Sequence, residues 1–264
     1  MLRRYLGTYV LRWTVVATVV GLALTPSTGF AFDDSKSAGA ANGDVRAIFK
    51  FGFWADRNGK KEQAVKAYRD AAGLGHKGAR WKLANMYAAG DGVTENDLEA
   101  FRMFEGIVRE GAEPGTQNAT FVAHALVSLA DYIKSGIPES PVTANPRRAR
   151  ELLWQAAAHF GEANAQFKLG KMFLNGEGGS VDERQAARWF NLAAAKHHSG
   201  AKAMLGHMLF ERGKTVRGLA MMTQALGTAA PEDHRWIREM QEEAFAVTTE
   251  NERRTAIALA QSGN

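Results

Sequence analysis

A short pattern, Ala-x-x-x-(Leu/Phe)-(Gly/Ala), recurs five times along the chain and constrains its fold more than any other feature. The copies begin at Ala47, Ala79, Ala125, Ala165 and Ala201, and their fifth residues are Phe51, Leu83, Leu129, Leu169 and Leu205. Four copies continue to a bulky apolar residue at Tyr87, Ile133, Phe173 and Leu209. Because residues at i, i+4 and i+8 share one side of an α-helix, each copy predicts a helix with one apolar face.

A second apolar series follows the first and predicts a partner for each helix. Its members are Tyr68, Phe104, Trp154, Phe190 and Met222, 32 to 50 residues apart. Periods of this size are typical of helix pairs stacked as a solenoid, in which no pair buries its apolar face alone. We therefore predict an all-α, right-handed αα-solenoid of about five helix-pair repeats over residues 45–230, closed by a C-terminal capping helix pair over residues 231–264.

The first 31 residues have the order of a secretory signal peptide. Arg3, Arg4 and Arg12 precede a run of twelve residues, 13–24, that is largely apolar, and a small-x-small triplet ends at Ala31. A membrane anchor is the weaker alternative, because a spanning helix needs about 20 apolar residues. We predict cleavage after Ala31, no membrane insertion afterwards, export to the periplasm, and a flexible start over residues 32–44.

Composition excludes several classes of chemistry. The chain has no cysteine, so a disulfide, a thiolate zinc site and a cysteine nucleophile are impossible. The formal charge of +5 falls to +2 once three leader arginines are removed, leaving 30 basic and 28 acidic residues. A nearly neutral mature chain gives no reason to expect a nucleic-acid partner.

The predicted first helices carry an excess of positive charge. They contain Lys50, Arg80, Lys82, Lys168, Lys171 and Lys202 against one acid, Asp131, so the layer charge is +5. If these helices line a concave face, the face is a basic groove that steers an acidic partner. The candidate partner-binding residues are Arg80, Lys82, Met86, Lys168, Lys171, Met172, Lys202 and Met208. The alternatives are scattered solvated lysines and methionines that fill the core.

Motifs for catalysis, cofactors or metals are weak. Gly73-x-Gly75-x-x-Gly78 matches a dinucleotide fingerprint, but a helical pattern precedes it where a strand is required. The adjacent pair His197 and His198 could be a metal ligand, a proton sensor or an ordinary solvated turn. We predict no enzyme, no cofactor and no metal site, although a sequence-distant pair of carboxylates stays open as an envelope enzyme.

The repeat pattern resembles the Sel-one-like repeat, a relative of the tetratricopeptide repeat. The resemblance runs from about Ala47 to Gly227 and rests on A-x-x-x-L-G-x-x-Y, a G-x-G turn and an aromatic-x-x-A-A segment. The third unit departs most, because Ala130 replaces the glycine and the G-x-G turn is missing. The resemblance implies a protein-binding solenoid.

Four further segments are similar to a family of periplasmic negative regulators of exopolysaccharide production. They are residues 95–101, 113–142, 217–226 and 253–260. The resemblance implies a protein that holds the periplasmic domain of a sensor histidine kinase inactive and is relieved by a periplasmic protease, in that family under acid conditions. Residues 113–118 and 137–145 are candidate cleavage sites. The alternative is a periplasmic scaffold or chaperone for polysaccharide or secretion machinery.

Overall fold

The computed structural model describes residues 44–262, which form helices and no strand. The helices are α1 Val45–Arg57, α2 Lys61–Gly73, α3 Lys77–Ala89, α4 Asp97–Glu110, α5 Gln117–Ser135, α6 Pro146–His159, α7 Ala163–Asn175, α8 Glu183–Ala194, α9 Ser199–Glu211, α10 Thr215–Gly227, α11 Pro231–Ala246 and α12 Glu250–Ser262. The predicted leader, and the predicted flexible start up to Gly43, lie outside the described residues.

The helices pack in chain order, as expected for a solenoid. Each odd-numbered helix from α1 to α9 packs against the helix that follows it, and each pair packs against the next pair. At the C-terminal end, α11 and α12 both pack on α10. The all-α solenoid predicted from the repeat is therefore confirmed. None of the described helices is long and apolar enough to cross a membrane.

The glycine of the repeat pattern allows the two helices of a pair to approach closely. A Cβ atom at Gly170 in α7 would lie 2.6 Å from Cε1 of Phe190 in α8. At Gly52 in α1 it would lie 2.8 Å from Cδ1 of Tyr68 in α2. Since real Cβ atoms essentially never show these distances, glycine is required at these positions as long as the second helix carries a large ring there.

The core follows the two apolar series. The repeat leucines Leu83, Leu129, Leu169 and Leu205 are buried, as are the second-helix residues Tyr68, Phe104, Phe190 and Met222. Burying a side chain of this type contributes about 1.5–3 kcal/mol. Three of the apolar clusters share helices with one another, so a nearly continuous core runs along the solenoid.

Trp154 is the main correction to the predicted core. Its exposed fraction is 49%, whereas its neighbour Leu153 is 3% exposed. Leu153 lies four residues after the buried Ala149, as Phe190 lies four residues after the buried Ala186. The prediction was therefore shifted by one residue in α6, and Leu153 takes the core position.

Three other predicted core residues are only partly buried. Phe51 lies in the first described helix, where no earlier described repeat packs against it. Tyr87 and Phe173 lie at the margins of the apolar clusters. These side chains support the core from its edge.

Candidate functional site

Three successive first helices, α1, α3 and α5, line one cavity of about 900 Å³. Its apolar lining comes from five aromatic side chains, Phe49, Phe53, Trp54, Trp81 and Phe121. Its polar lining comes from Lys50, Arg57, Asn58 and Lys82. We refer to these nine residues as the aromatic groove. The cavity shows that the first-helix face is concave at this end of the solenoid.

Local helix geometry explains how the groove forms. Phe49 and Phe53 lie four residues apart in α1 and so share one side of that helix. Trp81 in α3 meets Phe121 in α5 with ring centroids 6.1 Å apart. Gly78 in α3 provides space for this contact, because a Cβ atom there would lie 2.7 Å from Cζ of Phe121. The groove therefore depends on residues from all three helices.

Cations lie beside the aromatic rings of the groove. Lys82 Nζ is 5.5 Å from the ring centre of Phe53, and Arg57 Cζ is 5.7 Å from the same centre. Just outside the lining, Lys60 Nζ lies 4.4 Å from the ring centre of Trp54. Such cation–π contacts are favourable by about 0.5–1 kcal/mol at exposed sites. The rings thus hold positive charge at the groove without neutralising it.

A second part of the first-helix face lies between α5 and α7 and is organised by ion pairs. Lys168 pairs with Asp131, and Lys134 Nζ lies 3.4 Å from Glu177 Oε2. Lys171 lies among these groups, and burial is the main reason why its pKa is lowered, with Lys134 and Lys168 adding to the effect. We refer to these five residues as the ion-paired strip; they border a cavity of only about 120 Å³.

Carboxylates from neighbouring elements offset part of the predicted basic layer. Arg80 in α3 pairs with Glu110 in α4, and Lys82 Nζ lies 3.6 Å from Asp56 Oδ2 in α1. Since Asp131 is already counted in the +5, these two carboxylates reduce the layer charge to +3, which is carried by Lys50, Lys171 and Lys202. Lys202 in α9 is half-buried and lines neither cavity.

The three methionines predicted at the partner surface are buried. Met86, Met172 and Met208 have exposed fractions of 5% or less and belong to the apolar clusters. They follow the repeat leucine by three residues, so they lie on the same buried side of each first helix. The structure therefore places them in the core, as the alternative interpretation had it.

Sequence reasoning missed the aromatic lining of the groove. The spacing of Phe49 and Phe53 was an available signal for α1. Phe121 carried no such signal, because it lies before the third copy of the repeat pattern and has no counterpart in the other copies.

The histidine pair has a structural role in a helix start. His198 Nδ1 accepts a hydrogen bond from the backbone N–H of Ala201, and His76 Nδ1 does the same for Ala79. Burial is the main cause that lowers the pKa of both histidines. His197 is exposed and has a φ of 62°. No cluster of metal-binding side chains occurs within residues 44–262.

The repeats and the whole chain both match known proteins. The Sel1 repeat matches residues 78–105, 123–159 and 163–198, which fall on the three central helix pairs. An exopolysaccharide production negative regulator of Rhizobium meliloti (strain 1021) is 50% identical over 232 residues, which cover 88% of this chain and 86% of that protein. The chain belongs to this family of regulators. A regulator of the same name from Rhizobium leguminosarum bv. viciae is 51% identical over 215 residues, 81% of this chain and 80% of that protein.

A solved Sel1 repeat protein from Oxalobacter formigenes has the same fold. It superposes with a TM-score of 0.63 over 85% of this chain and 90% of that chain, at 18% sequence identity. Sel1 repeats form a protein-interaction fold, and the family members are named as regulators. The chain is accordingly a regulator and not an enzyme.

Proposed function

We propose that this family member represses exopolysaccharide production from the periplasm by holding the periplasmic domain of a membrane sensor histidine kinase inactive. Proteolysis by a periplasmic protease relieves the repression. The aromatic groove carries the proposal, because it is a concave, apolar and positively charged surface on a fold that binds proteins. Tryptophan and arginine, which both line the groove, are among the residues that most often dominate protein–protein binding energy.

The first test is a calorimetric titration of residues 32–264 with the isolated periplasmic domain of the host's candidate sensor kinase. At low salt we expect saturable binding, and binding that weakens at higher salt because the groove is positively charged. Absence of heat at tens of micromolar, with the helical content intact by circular dichroism, would refute kinase binding. The scaffold alternative would then be pursued by co-purification from the periplasm.

Relief by proteolysis is favoured at one of the two candidate connections. The first candidate, residues 113–118, overlaps the connection between α4 and α5, except that residues 117 and 118 begin α5. Residues 111–116, which form this connection, are mostly exposed and are not closed by long-range backbone hydrogen bonds. The connection between α5 and α6 is better protected, since the Ile137 N–H donates to the Val142 carbonyl at 2.9 Å and Ile137 is 8% exposed. Cleavage requires a locally open backbone.

Limited proteolysis with mass mapping tests this order. We expect the first cut within residues 111–116 and a later cut within residues 137–145. First cuts inside helices of the central pairs would count against the proposed route of relief. Repeating the digestion at neutral and acidic pH shows whether acid opens this protein or acts on the protease.

A further inference from the structure

We propose that the aromatic groove binds an acidic peptide segment of the partner protein, in which one large apolar side chain is flanked by carboxylates. This inference rests on the proposed function and names the part of the partner that the groove recognises. It also moves the recognition site away from the ion-paired strip and towards the α1 end of the solenoid.

The apolar part of the ligand follows from one exposed ring, Phe53, and the partly buried rings beside it. Phe53 has an exposed fraction of 41% and lies in the wall of a cavity that Trp81 and Phe121 also line. Large exposed apolar side chains gathered in a concave patch mark an interaction site. A single aromatic or large aliphatic side chain fits such a patch as an anchor.

The acidic part of the ligand follows from charge complementarity. Lys50, Arg57 and Lys82 line the groove, and among the described residues neither Lys50 nor Arg57 forms an ion pair. Asp56 is close to Lys82, but its carboxylate is also held by Lys61, with Nζ at 2.6 Å from Oδ1. Carboxylates on the ligand would supply the missing negative charge.

A polar group in the groove wall also lacks a partner. The indole N–H of Trp81 is buried and has no hydrogen-bond acceptor among the residues that the structure describes. A buried donor without an acceptor is costly, so native proteins usually provide one. The nitrogen itself is not exposed at the groove surface, so a peptide in the groove would contact it only if the Trp81 side chain moved.

Charge argues against a second copy of the chain as the occupant. A two-fold contact of groove against groove would bring Lys50, Arg57 and Lys82 of one copy against the same cations of the other. Like charges at an interface oppose association. A separate acidic segment meets no such repulsion.

The test uses a matched pair of synthetic peptides and residues 32–264. One peptide has a phenylalanine between two pairs of aspartates, and the other has lysines in place of the aspartates. We expect the acidic peptide to bind in calorimetry and the basic peptide to bind at least about tenfold more weakly. Equal binding of both peptides, or of neither, would overturn the proposal.

Variants then locate the binding site. Phe53→Ser and Lys50→Glu should each weaken binding of the acidic peptide by about fivefold or more, since both side chains line the groove. Trp154→Ser is the matched control, because Trp154 is similarly exposed but lies in α6 outside the groove. An effect of Trp154→Ser as large as that of Phe53→Ser would remove the assignment to the groove.

One further experiment distinguishes a segment of the partner from a segment of this chain as the occupant of the groove. Residues 32–34 read Phe-Asp-Asp and have the same chemistry as the proposed ligand. Peptide binding that occurs only after residues 32–43 are deleted would assign the groove to this segment and overturn the partner assignment. Peptide binding without kinase-domain binding would retain the inference about the ligand's chemistry and reject the kinase as its source.

Discussion

Lys82 and Lys168 occupy the same position of the repeat, three residues after the alanine that begins each copy, yet their surroundings differ. In the aromatic groove, Lys82 faces the ring of Phe53 at 5.5 Å. In the ion-paired strip, Lys168 pairs with Asp131. Phe53 and Asp131 also share a position, six residues after the alanine of the preceding first helix.

This comparison shows that the surroundings of the repeat lysine depend on one residue of the preceding first helix. An aspartate at the sixth position neutralises the lysine within the protein. A phenylalanine at the same position gives Lys82 an aromatic neighbour instead, and the charge of Lys82 is met only by the Asp56 carboxylate at 3.6 Å, which Lys61 shares. The residue at the sixth position therefore decides how closely the lysine is paired within the protein.

The largest difference between the two regions should be in stability. Leu169→Ala should lower the free energy of unfolding by about 3–4 kcal/mol, because Leu169 is fully buried with helix pairs on both sides. Phe51→Ala, at the same repeat position in α1, should cost about 1–2 kcal/mol because Phe51 is only partly buried. Denaturant titration monitored by circular dichroism measures both values, and equal losses would contradict the difference between a central and an edge repeat.

The second-largest effect should be on binding of the kinase domain, when the sixth-position residues are exchanged. Phe53→Asp should weaken binding of the kinase domain by about tenfold, or about 1.4 kcal/mol, because the new carboxylate can pair with Lys82 and the apolar wall is lost. Asp131→Phe should leave binding within about twofold, since the ion-paired strip borders only a small cavity. Surface plasmon resonance measures both variants. A larger loss for Asp131→Phe would show that the strip is the contact.

Acid should weaken the helix starts near both regions. A protonated Nδ1 cannot accept the N-cap hydrogen bond that His76 makes beside Phe49 in the groove, nor the one that His198 makes beside Phe167. Burial lowers the folded-state pKa of both; Arg46 adds to the lowering at His76, whereas Asp233 and Glu162 oppose it at His198. The unfolded chain therefore binds more protons, and this stability is complete above the ordinary pKa of 6.5 and is lost as pH falls below it.

Asparagine variants isolate this effect. Asparagine accepts the N-cap hydrogen bond at any pH, so His76→Asn and His198→Asn should each remove part of the loss of stability on acidification, while an N-cap itself is worth about 1 kcal/mol. Denaturant titrations at neutral and mildly acidic pH give the comparison. His197→Asn is the control, because His197 is exposed and caps nothing; an equal change in that variant would contradict the cap explanation.

The smallest expected effects are the interaction energies between each lysine and its sixth-position neighbour. A double-mutant cycle on Lys168 and Asp131 should give about 0.2–1 kcal/mol, a value that falls with added salt because both side chains are partly exposed. The cycle on Lys82 and Phe53 should give about 0.5–1 kcal/mol and depend less on salt. Identical salt dependence in the two cycles would indicate that both lysines lie in the same electrostatic environment.

The fold could be predicted because the same helix pattern occurs several times along the chain. Five copies of one pattern identify the pairs, and the glycine explains the close approach of Gly170 to Phe190. Trp154 was misplaced because Leu153 and Trp154 each have an alanine three residues later, so that spacing alone does not choose between them. The spacing from the preceding buried alanine does distinguish them. Phe190 lies four residues after the buried Ala186, and Leu153, not Trp154, lies four residues after the buried Ala149.

The site was less predictable because it depends on contacts between separate helices. Glu110, from the second helix α4, lies 30 residues from Arg80, and Asp131 lies 37 residues from Lys168. A charge count over first helices leaves out Glu110, and although it includes Asp131 it does not show that this carboxylate pairs with Lys168. The groove likewise needs Phe121, which only the packing of α5 on α3 brings to Trp81.

The extra length of α5 has a consequence for how the family could vary. α5 has 19 residues, whereas α3 and α7 have 13, and the six additional residues all precede Ala125. At 1.5 Å per residue they extend the helix by about 9 Å, and they include Phe121. The groove thus forms at a junction between a standard unit and an irregular one. Duplicating or deleting a regular pair near the other end would alter the length of the solenoid while its recognition element stayed the same.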